Sequence, residues 1–209
     1  MHVVTFGTEA AARGDCDTPR PRYWPIAAWC LVGYLLVLVA WSAPSPGDAP
    51  DPSPGSEQAI KAAFLYKFLS YVEWPPAALR GGASPIVLGV LGDDAIAAEL
   101  RASVARKRIG QHPIEVRTVD ESAALDGVHL LFVGSDESDA LVRLAPEAHR
   151  RSVLLVTDFD HALEDGSVIN LVIVDNRVRF EVSLEAAERS NLKISSRMLA
   201  VAMWVRPTR

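Results

Sequence analysis

Residues 85–104, PIVLGVLGDDAIAAELRASV, decide the fold. The first seven form a short, continuous apolar run, which is typical of a strand covered on both faces. Asp93 or Asp94 is then expected to cap the N-terminus of a helix. The apolar residues that follow recur at helical spacing and should share one side of that helix: Ile96, Ala97, Leu100 and Val104. A buried strand followed by a capped amphipathic helix predicts an α/β fold.

The same alternation continues on both sides of this unit. Apolar runs predict strands over residues 113–119, 128–133 and 153–157, and a helix over 140–149. Strands that alternate with helices favour a three-layer arrangement, in which a mostly parallel sheet carries helices on both faces.

A further helix is predicted upstream, over residues 57–74. Ser56 is a plausible N-cap, and Pro75 and Pro76 stop the helix because proline cannot continue it. Its apolar residues recur at helical spacing: Ile60, Ala63, Phe64, Phe68, Tyr71 and Val72. Periodicity does not distinguish a face that packs on the core from an interface with a second copy of the chain.

The rhythm changes near the C-terminus. Two strands, over residues 168–174 and 177–183, flank Asp175 and Asn176, a two-residue turn that predicts an antiparallel hairpin. Helices are expected over 184–190 and 195–204, the second ending at a large aromatic residue, Trp204.

The N-terminal part has the three features of an export signal. Arg13, Arg20 and Arg22 precede the uncharged apolar run 26–41, and acidic residues follow. The run is also long enough to cross a bilayer, so residues 1–43 are interpreted as either a signal peptide or an N-terminal membrane anchor. Residues 44–56 form a Pro-rich linker, and 57–209 the folded domain. The charge asymmetry predicts a periplasmic domain, exported and either released or retained by the anchor.

Composition excludes several classes of function. The net charge of −5 gives no dense basic face for nucleic acid. Both cysteines, Cys16 and Cys30, precede the domain, and no histidine pair has zinc-ligand spacing, so neither a metal site nor a cofactor is expected. The turn 89–94 lacks the glycine spacing of a phosphate loop. Ser195 and Ser196 lack the surroundings of a nucleophile elbow and are expected to cap the last helix.

Several segments together resemble the YfiR family of periplasmic regulators. The similar stretches are KAAFLYKFLSYVEWP (61–75), IGQHPIEV (109–116), HLLFVG (129–134), LLVTDFD (154–160) and the hairpin with the last helix (165–199). The resemblance implies a non-enzymatic repressor that binds the extracytoplasmic sensor portion of an inner-membrane diguanylate cyclase. Cyclic di-GMP signalling, and with it biofilm formation, would fall as a result.

The resemblance also implies partners beyond the cyclase. An outer-membrane lipoprotein can draw such an inhibitor away, and family members are dimeric. Well-known members carry disulfides in the domain, whereas this sequence has no cysteine there.

Two groups of residues are the candidates for binding. A small ligand is expected at a loop that follows a strand and carries Asp158, Asp160 and His161. Partner contacts are expected at Trp74, at the basic cluster Arg106, Lys107 and Arg108, and at Arg197, because aromatic and basic side chains anchor interfaces.

Two other functions remain as alternatives. One is a periplasmic small-ligand sensor that uses the crevice at the carboxyl ends of the strands, near Asp93, Ser135 and Asp158. The other is a secreted hydrolase, which the missing elbow, metal set and thiol disfavour.

Overall fold

A mixed sheet of eight strands organises the described part of this computed structural model, which covers residues 54–79, 84–120 and 125–208. The strands, in chain order, are β1 Val72–Glu73, β2 Ile86–Leu91, β3 Arg108–Ile109, β4 His112–Thr118, β5 Val128–Val133, β6 Leu154–Thr157, β7 Ile169–Val174, β8 Arg177–Ser183, β9 Lys193–Ile194 and β10 Trp204–Arg206. The helices are α1 Pro54–Phe68, α2 Asp94–Val104, α3 Ser138–Arg150, α4 Leu184–Arg189 and α5 Ser196–Leu199, with a 3₁₀ turn at Ser135–Glu137.

The sheet has the order β10-β8-β7-β6-β5-β2-β4-β3. Strands β4, β2, β5, β6 and β7 run parallel, while β8 is antiparallel to β7, and β3 to β4. The chain order reverses around β2, because β4 lies on one side of it and β5 on the other. The predicted C-terminal hairpin is confirmed as β7 and β8, and its turn residues Asp175 and Asn176 have φ values of 49° and 59°.

Helices cover both faces of the sheet, so the predicted three layers are confirmed. Successive side chains of a strand point to opposite faces. Leu88 of β2 therefore joins the cluster that contains Leu65 of α1 and Ile96 of α2. Leu91 of β2 joins the other cluster, which contains Leu141 of α3.

Helix α2 follows the prediction closely. Its four predicted core residues are all at most 3% exposed. Of the two candidate caps, Asp93 is the one that caps the helix. Its Oδ1 accepts a hydrogen bond of 2.8 Å from the backbone N–H of Ile96.

The prediction for α1 was wrong in its limits. The helix begins at Pro54, before the predicted cap Ser56, and ends at Phe68. It stops there because Val72–Glu73 is drawn into an antiparallel pair with β9. Of the six periodic apolar residues, Phe68 and Val72 are buried, whereas Ile60 and Tyr71 are 42% and 38% exposed. The core face is made of Ala62, Leu65, Phe68, Leu69 and Val72.

The last predicted helix was also too long. α5 ends at Leu199, and Trp204 lies in β10, which pairs in parallel with β8. Trp204 is thus 49% exposed on an edge strand instead of lying at a helix end. Ser195 caps α5, since its side chain accepts from the backbone N–H of Arg197.

His129 joins β5 to two neighbouring segments. Its Nδ1 accepts from the Val87 N–H at 3.1 Å, where the register of β2 and β5 shifts. Its Nε2 therefore carries the proton and donates to the Ala78 carbonyl at 3.1 Å. His129 is 8% exposed, and burial lowers its pKa. None of the helices in the described ranges is both long and apolar enough to cross a bilayer.

Candidate docking groove

The floor of a groove between α1 and α5 is a cluster of three aromatic rings. Phe68 and Phe180 lie edge to face, with ring centroids 5.3 Å apart, and Phe64 lies 5.9 Å from Phe68 and 5.8 Å from Phe180. Such geometries stabilise aromatic pairs beyond the area they bury. The cluster fixes α1 on β8 and gives the groove a rigid, apolar base.

The walls are also apolar. One wall is the outer face of α1, where Ala59, Ile60 and Ala63 recur at helical spacing, and the other contains Met198 and Val201. The groove encloses about 540 Å³. Val201 is 66% exposed, so large apolar area stays in contact with water at the rim. Exposed apolar side chains that cluster in one concave place are typical of a binding groove, whereas singly scattered ones are normal on a protein surface.

A short β pair determines the distance between the two walls. Val72 pairs with Ile194 and Glu73 with Lys193, and the Ser195 N–H donates to the Tyr71 carbonyl at 2.9 Å. These bonds tie the end of α1 to the start of α5. The shape of the groove therefore depends on backbone hydrogen bonds as well as on the side chains that line it.

The groove is electropositive at its rim. Lys67 on α1 and Arg197 on α5 are exposed and lie on opposite walls. Neither side chain forms an ion pair with any described residue, and the described residues that line the groove include no acid. An apolar groove with unpaired cations on both sides is suited to bind an apolar segment that carries negative charge.

The apolar surface continues beyond the groove. Ile173, Val174 and Met203 are 52%, 38% and 47% exposed on the hairpin and the segment before β10. Val201 borders both the groove and a second depression, which Arg177 and Arg179 also line. Asp175 lines the same depression, so apolar, basic and acidic groups meet at this side of the hairpin.

A separate, acidic cleft lies at the carboxyl ends of β2, β4 and β5. It measures about 770 Å³, and Thr118 and Ser135 line it together with five carboxylates: Asp93, Asp94, Asp120, Asp136 and Glu137. The cleft lies where the strand order reverses, the usual place for a ligand in an open α/β sheet. Its negative charge disfavours phosphate and other anions. Within the described ranges no three His, Cys, Asp or Glu side chains are arranged to hold a metal.

The predicted ligand loop does not bring its three side chains together. Asp158 faces inward, and its Oδ2 accepts a hydrogen bond of 2.7 Å from Lys61 Nζ of α1. Its Oδ1 is buried with no hydrogen-bond partner in the described structure. Asp160 is exposed, and the His161 side chain is 80% exposed, with Nδ1 3.9 Å from Glu164 Oε2.

Lys61 is held by two carboxylates. Glu57 Oε1 and Asp158 Oδ2 both lie 2.7 Å from Nζ, and the side chains of Lys61 and Asp158 are 11% and 7% exposed. Burial, the largest single influence, acts to lower the pKa of Lys61, but the two hydrogen-bonded carboxylates outweigh it and raise the pKa. Lys61 therefore stays charged and anchors α1 to the end of β6.

The predicted partner residues are scattered, and of them only Arg197 lines the groove. Trp74 is half-buried and donates from Nε1 to the His129 carbonyl at 3.3 Å. Arg106 is exposed, Lys107 Nζ lies 4.3 Å from the centre of the Tyr66 ring, and Arg108 donates to the Gln111 carbonyl.

Sequence reasoning missed the groove because the periodic apolar residues of α1 do not show which of them pack on the sheet and which stay uncovered. Ile60, Ala63 and Phe64 were recognised as a stripe, but the stripe faces the groove. The signal that would have separated the two faces is the continuous apolar run of Ala62, Ala63, Phe64 and Leu65, which gives α1 two apolar faces instead of one.

The chain matches the model of a known protein family. A family model described as YfiR/HmsC-like matches residues 58–203, nearly the whole folded part. The chain belongs to the YfiR/HmsC-like family. Members of this family are periplasmic regulators in diguanylate cyclase signalling and not enzymes, which agrees with the resemblance seen in the sequence.

A solved structure shows the same fold for this YfiR/HmsC-like chain. It is similar to a conserved domain protein from Vibrio cholerae O1 biovar El Tor strain N16961, with a TM-score of 0.50 and 12% identity over 71% of this chain. The chain spans 60% of that protein's solved chain. It is also similar to the ABC domain of Streptococcus pneumoniae solved in complex with L-Trp, with a TM-score of 0.43, 9% identity, and coverage of 57% of this chain and 55% of that one.

Proposed function

We propose that this protein is an exported repressor, which binds the extracytoplasmic sensor portion of an inner-membrane diguanylate cyclase and so lowers cyclic di-GMP output. The observation that carries the proposal is the family match over residues 58–203. The groove between α1 and α5 supports it, because a protein that acts by binding needs an apolar surface that its own fold leaves uncovered.

Repression follows from differential binding. The protein shifts the cyclase toward its inactive state only by as much as it binds that state more tightly than the active one. A coupling of about 1–3 kcal/mol corresponds to a change in affinity of about 5- to 150-fold. A competing outer-membrane lipoprotein would reverse the repression by lowering the concentration of free repressor, and a homodimer would present two binding surfaces to the cyclase.

The structure supports the predicted contact residues unequally. Arg197 lies at the groove and is exposed, whereas Trp74 is half-buried and engaged with His129. The exposed cluster Arg106, Lys107 and Arg108 follows α2, outside the groove. We therefore propose Arg197 as the primary contact and the cluster as a secondary one.

Reconstitution with the cognate cyclase tests the proposal. The full chain and the full-length cyclase are incorporated into proteoliposomes, and the rate of cyclic di-GMP synthesis from GTP is measured as the amount of repressor increases. The expected result is a saturable fall in rate, together with binding of the repressor to the sensor portion. A rate that is unchanged at saturating repressor would contradict the proposal.

A small-ligand sensor is the second candidate, and the cleft at the reversal of strand order favours it. The five carboxylates of the cleft limit the ligand to neutral or cationic compounds. The exposed pair Asp160 and His161 offers another ligand position on the loop after β6. A panel of sugars, polyols and amines is screened for a rise in Tm. Loss of the rise in Asp136→Asn places the ligand in the cleft, and loss in His161→Ala places it at the loop.

A further inference from the structure

The length and the lining of the groove indicate the shape of the segment that it can bind. Its α1 wall extends from Ala59 to Phe68, which is about 14 Å, or two and a half turns of helix. Ala59 and Ala63 lie four residues apart on this wall, and their small side chains let another backbone approach closely. An elongated apolar groove of this kind suits a helix that inserts large apolar side chains at positions i, i+4 and i+7.

The cations at the rim of the groove indicate the charge of the segment that it can bind. Lys67 and Arg197 stand on opposite walls, and neither has an ion-pair partner among the described residues. Because the chain as a whole is acidic, with a net charge of −5, a cationic rim on both sides of an apolar groove is a local exception. An occupant with carboxylates on both flanks of its apolar face would pair with both cations at once.

We propose that the groove between α1 and α5 binds an amphipathic helix of a partner protein, whose apolar face is flanked on both sides by acidic residues. The assignment of that helix to the cyclase sensor portion rests on the proposed function. The shape and charge of the groove do not depend on it.

Designed peptides test the chemistry directly. Three fluorescein-labelled helical peptides of 18 residues are titrated with the full chain in detergent, and binding is followed by anisotropy. The first has a leucine stripe flanked by glutamates, the second has the same stripe flanked by lysines, and the third has the composition of the first with the stripe scrambled. We expect the first to bind about tenfold more tightly than the second, and the third to show no saturable binding.

Charge reversal at the rim should invert the preference. The double variant Lys67→Glu and Arg197→Glu is expected to prefer the lysine-flanked peptide, while Lys67→Gln with Arg197→Gln should bind both peptides equally. The matched control is Arg143→Glu with Arg150→Glu, which makes the same change in net charge on exposed positions of α3 and should keep the wild-type preference. Urea unfolding of each variant verifies that the fold is retained. The neutral double variant tests the same two rim residues without introducing negative charge.

Three results would overturn the inference. The first is equal binding of the scrambled peptide. The second is displacement of the first peptide by mixed micelles of phosphatidylglycerol in the same detergent, which would identify a lipid surface. The third is a change in the oligomeric mass of the chain alone on rim reversal, which would identify a second copy. Because no cyclase is present in the peptide assay, a chain that binds the first peptide but fails to repress the cyclase refutes the proposed function and leaves this inference standing.

Discussion

At the scale of the residue, the two hydrogen bonds of His129 determine the protonation state of its ring. The ring accepts from Val87 and donates to the carbonyl of Ala78, so it is held as the neutral tautomer. A second proton on Nδ1 would abolish the bond from Val87 and place a charge in the core. The bond from Val87 forms where the register of β2 and β5 shifts, a feature that the sequence does not show.

Acid should therefore destabilise the fold through His129. Burial lowers its pKa in the folded state, so below about pH 6.5 the unfolded chain binds more protons than the folded one. The free energy of unfolding should be highest above about pH 6.5 and fall as the pH decreases from there. His149, whose pKa burial also lowers, adds to the same slope.

Variants separate the contribution of His129. Urea unfolding at pH 8 and pH 5.5 should show that His129→Gln is less stable than wild type by about 1–3 kcal/mol at pH 8 and loses less stability on acidification. His161→Gln makes the same substitution at an 80% exposed side chain and is the control. A pH dependence that is identical in all three proteins would contradict this role of His129.

The pair Lys61 and Asp158 gives a second prediction at this scale. Lys61→Met leaves the buried carboxylate of Asp158 without its cation and should lower the free energy of unfolding by about 3 kcal/mol or more. The control Glu57→Gln removes the more exposed partner of the same lysine and should cost less than about 1 kcal/mol. Both are measured by urea denaturation. Equal losses of stability in Lys61→Met and Glu57→Gln would mean that the ammonium group of Lys61 is held mainly by Glu57, within α1.

At the scale of the element, local signals predicted the long elements and tertiary pairing decided the short ones. The apolar run of β5 and the periodic residues of α2 were sufficient because burial on both faces, or on one stripe, leaves a pattern in sequence. The short strands β1, β9 and β10 have two or three residues each, which is too few for a pattern, and they exist only because a partner strand is present.

Helix α1 shows a different limit. Its two apolar faces are both continuous, so periodicity found a stripe but could not tell which one packs on the sheet. The core face is decided by Leu65 and Leu69, which meet the sheet, and by the aromatic cluster around Phe68. Packing on the sheet therefore decides which face of α1 is buried and which face lines the groove.

The cap of α2 provides a prediction at this scale. Asp93→Ala removes the acceptor for the Ile96 N–H and should lower the free energy of unfolding by about 1 kcal/mol. Asp94→Ala is the matched control, because it removes only a favourable charge near the helix N-terminus and should cost about half as much or less. Thermal or urea unfolding measures both, and a larger loss in Asp94→Ala would show that the cap is assigned to the wrong aspartate.

At the scale of the whole molecule, charge and apolar area are segregated. Five carboxylates line the cleft at the ends of β2, β4 and β5, while the groove is lined by apolar side chains and by two cations that have no ion-pair partner among the described residues. A surface divided in this way can orient a charged partner before contact as well as hold it afterwards. The division also separates the two candidate functions in space, so each can be removed without altering the other.

A single alanine offers the most direct test of repression through the groove. Ala63 is exposed on the groove wall, and Ala98 is exposed on α2 outside it. Ala63→Glu places a negative charge between the partner and the aromatic floor, so we expect at least a tenfold loss of affinity for the cyclase and a matching loss of repression in proteoliposomes. Ala98→Glu makes the same chemical change and should repress like wild type. Both variants should unfold within about 0.5 kcal/mol of wild type, since each substitution is at an exposed helical position. If Ala63→Glu represses as well as Ala98→Glu, the cyclase binds elsewhere, and the basic cluster at Arg106, Lys107 and Arg108 becomes the surface to mutate next.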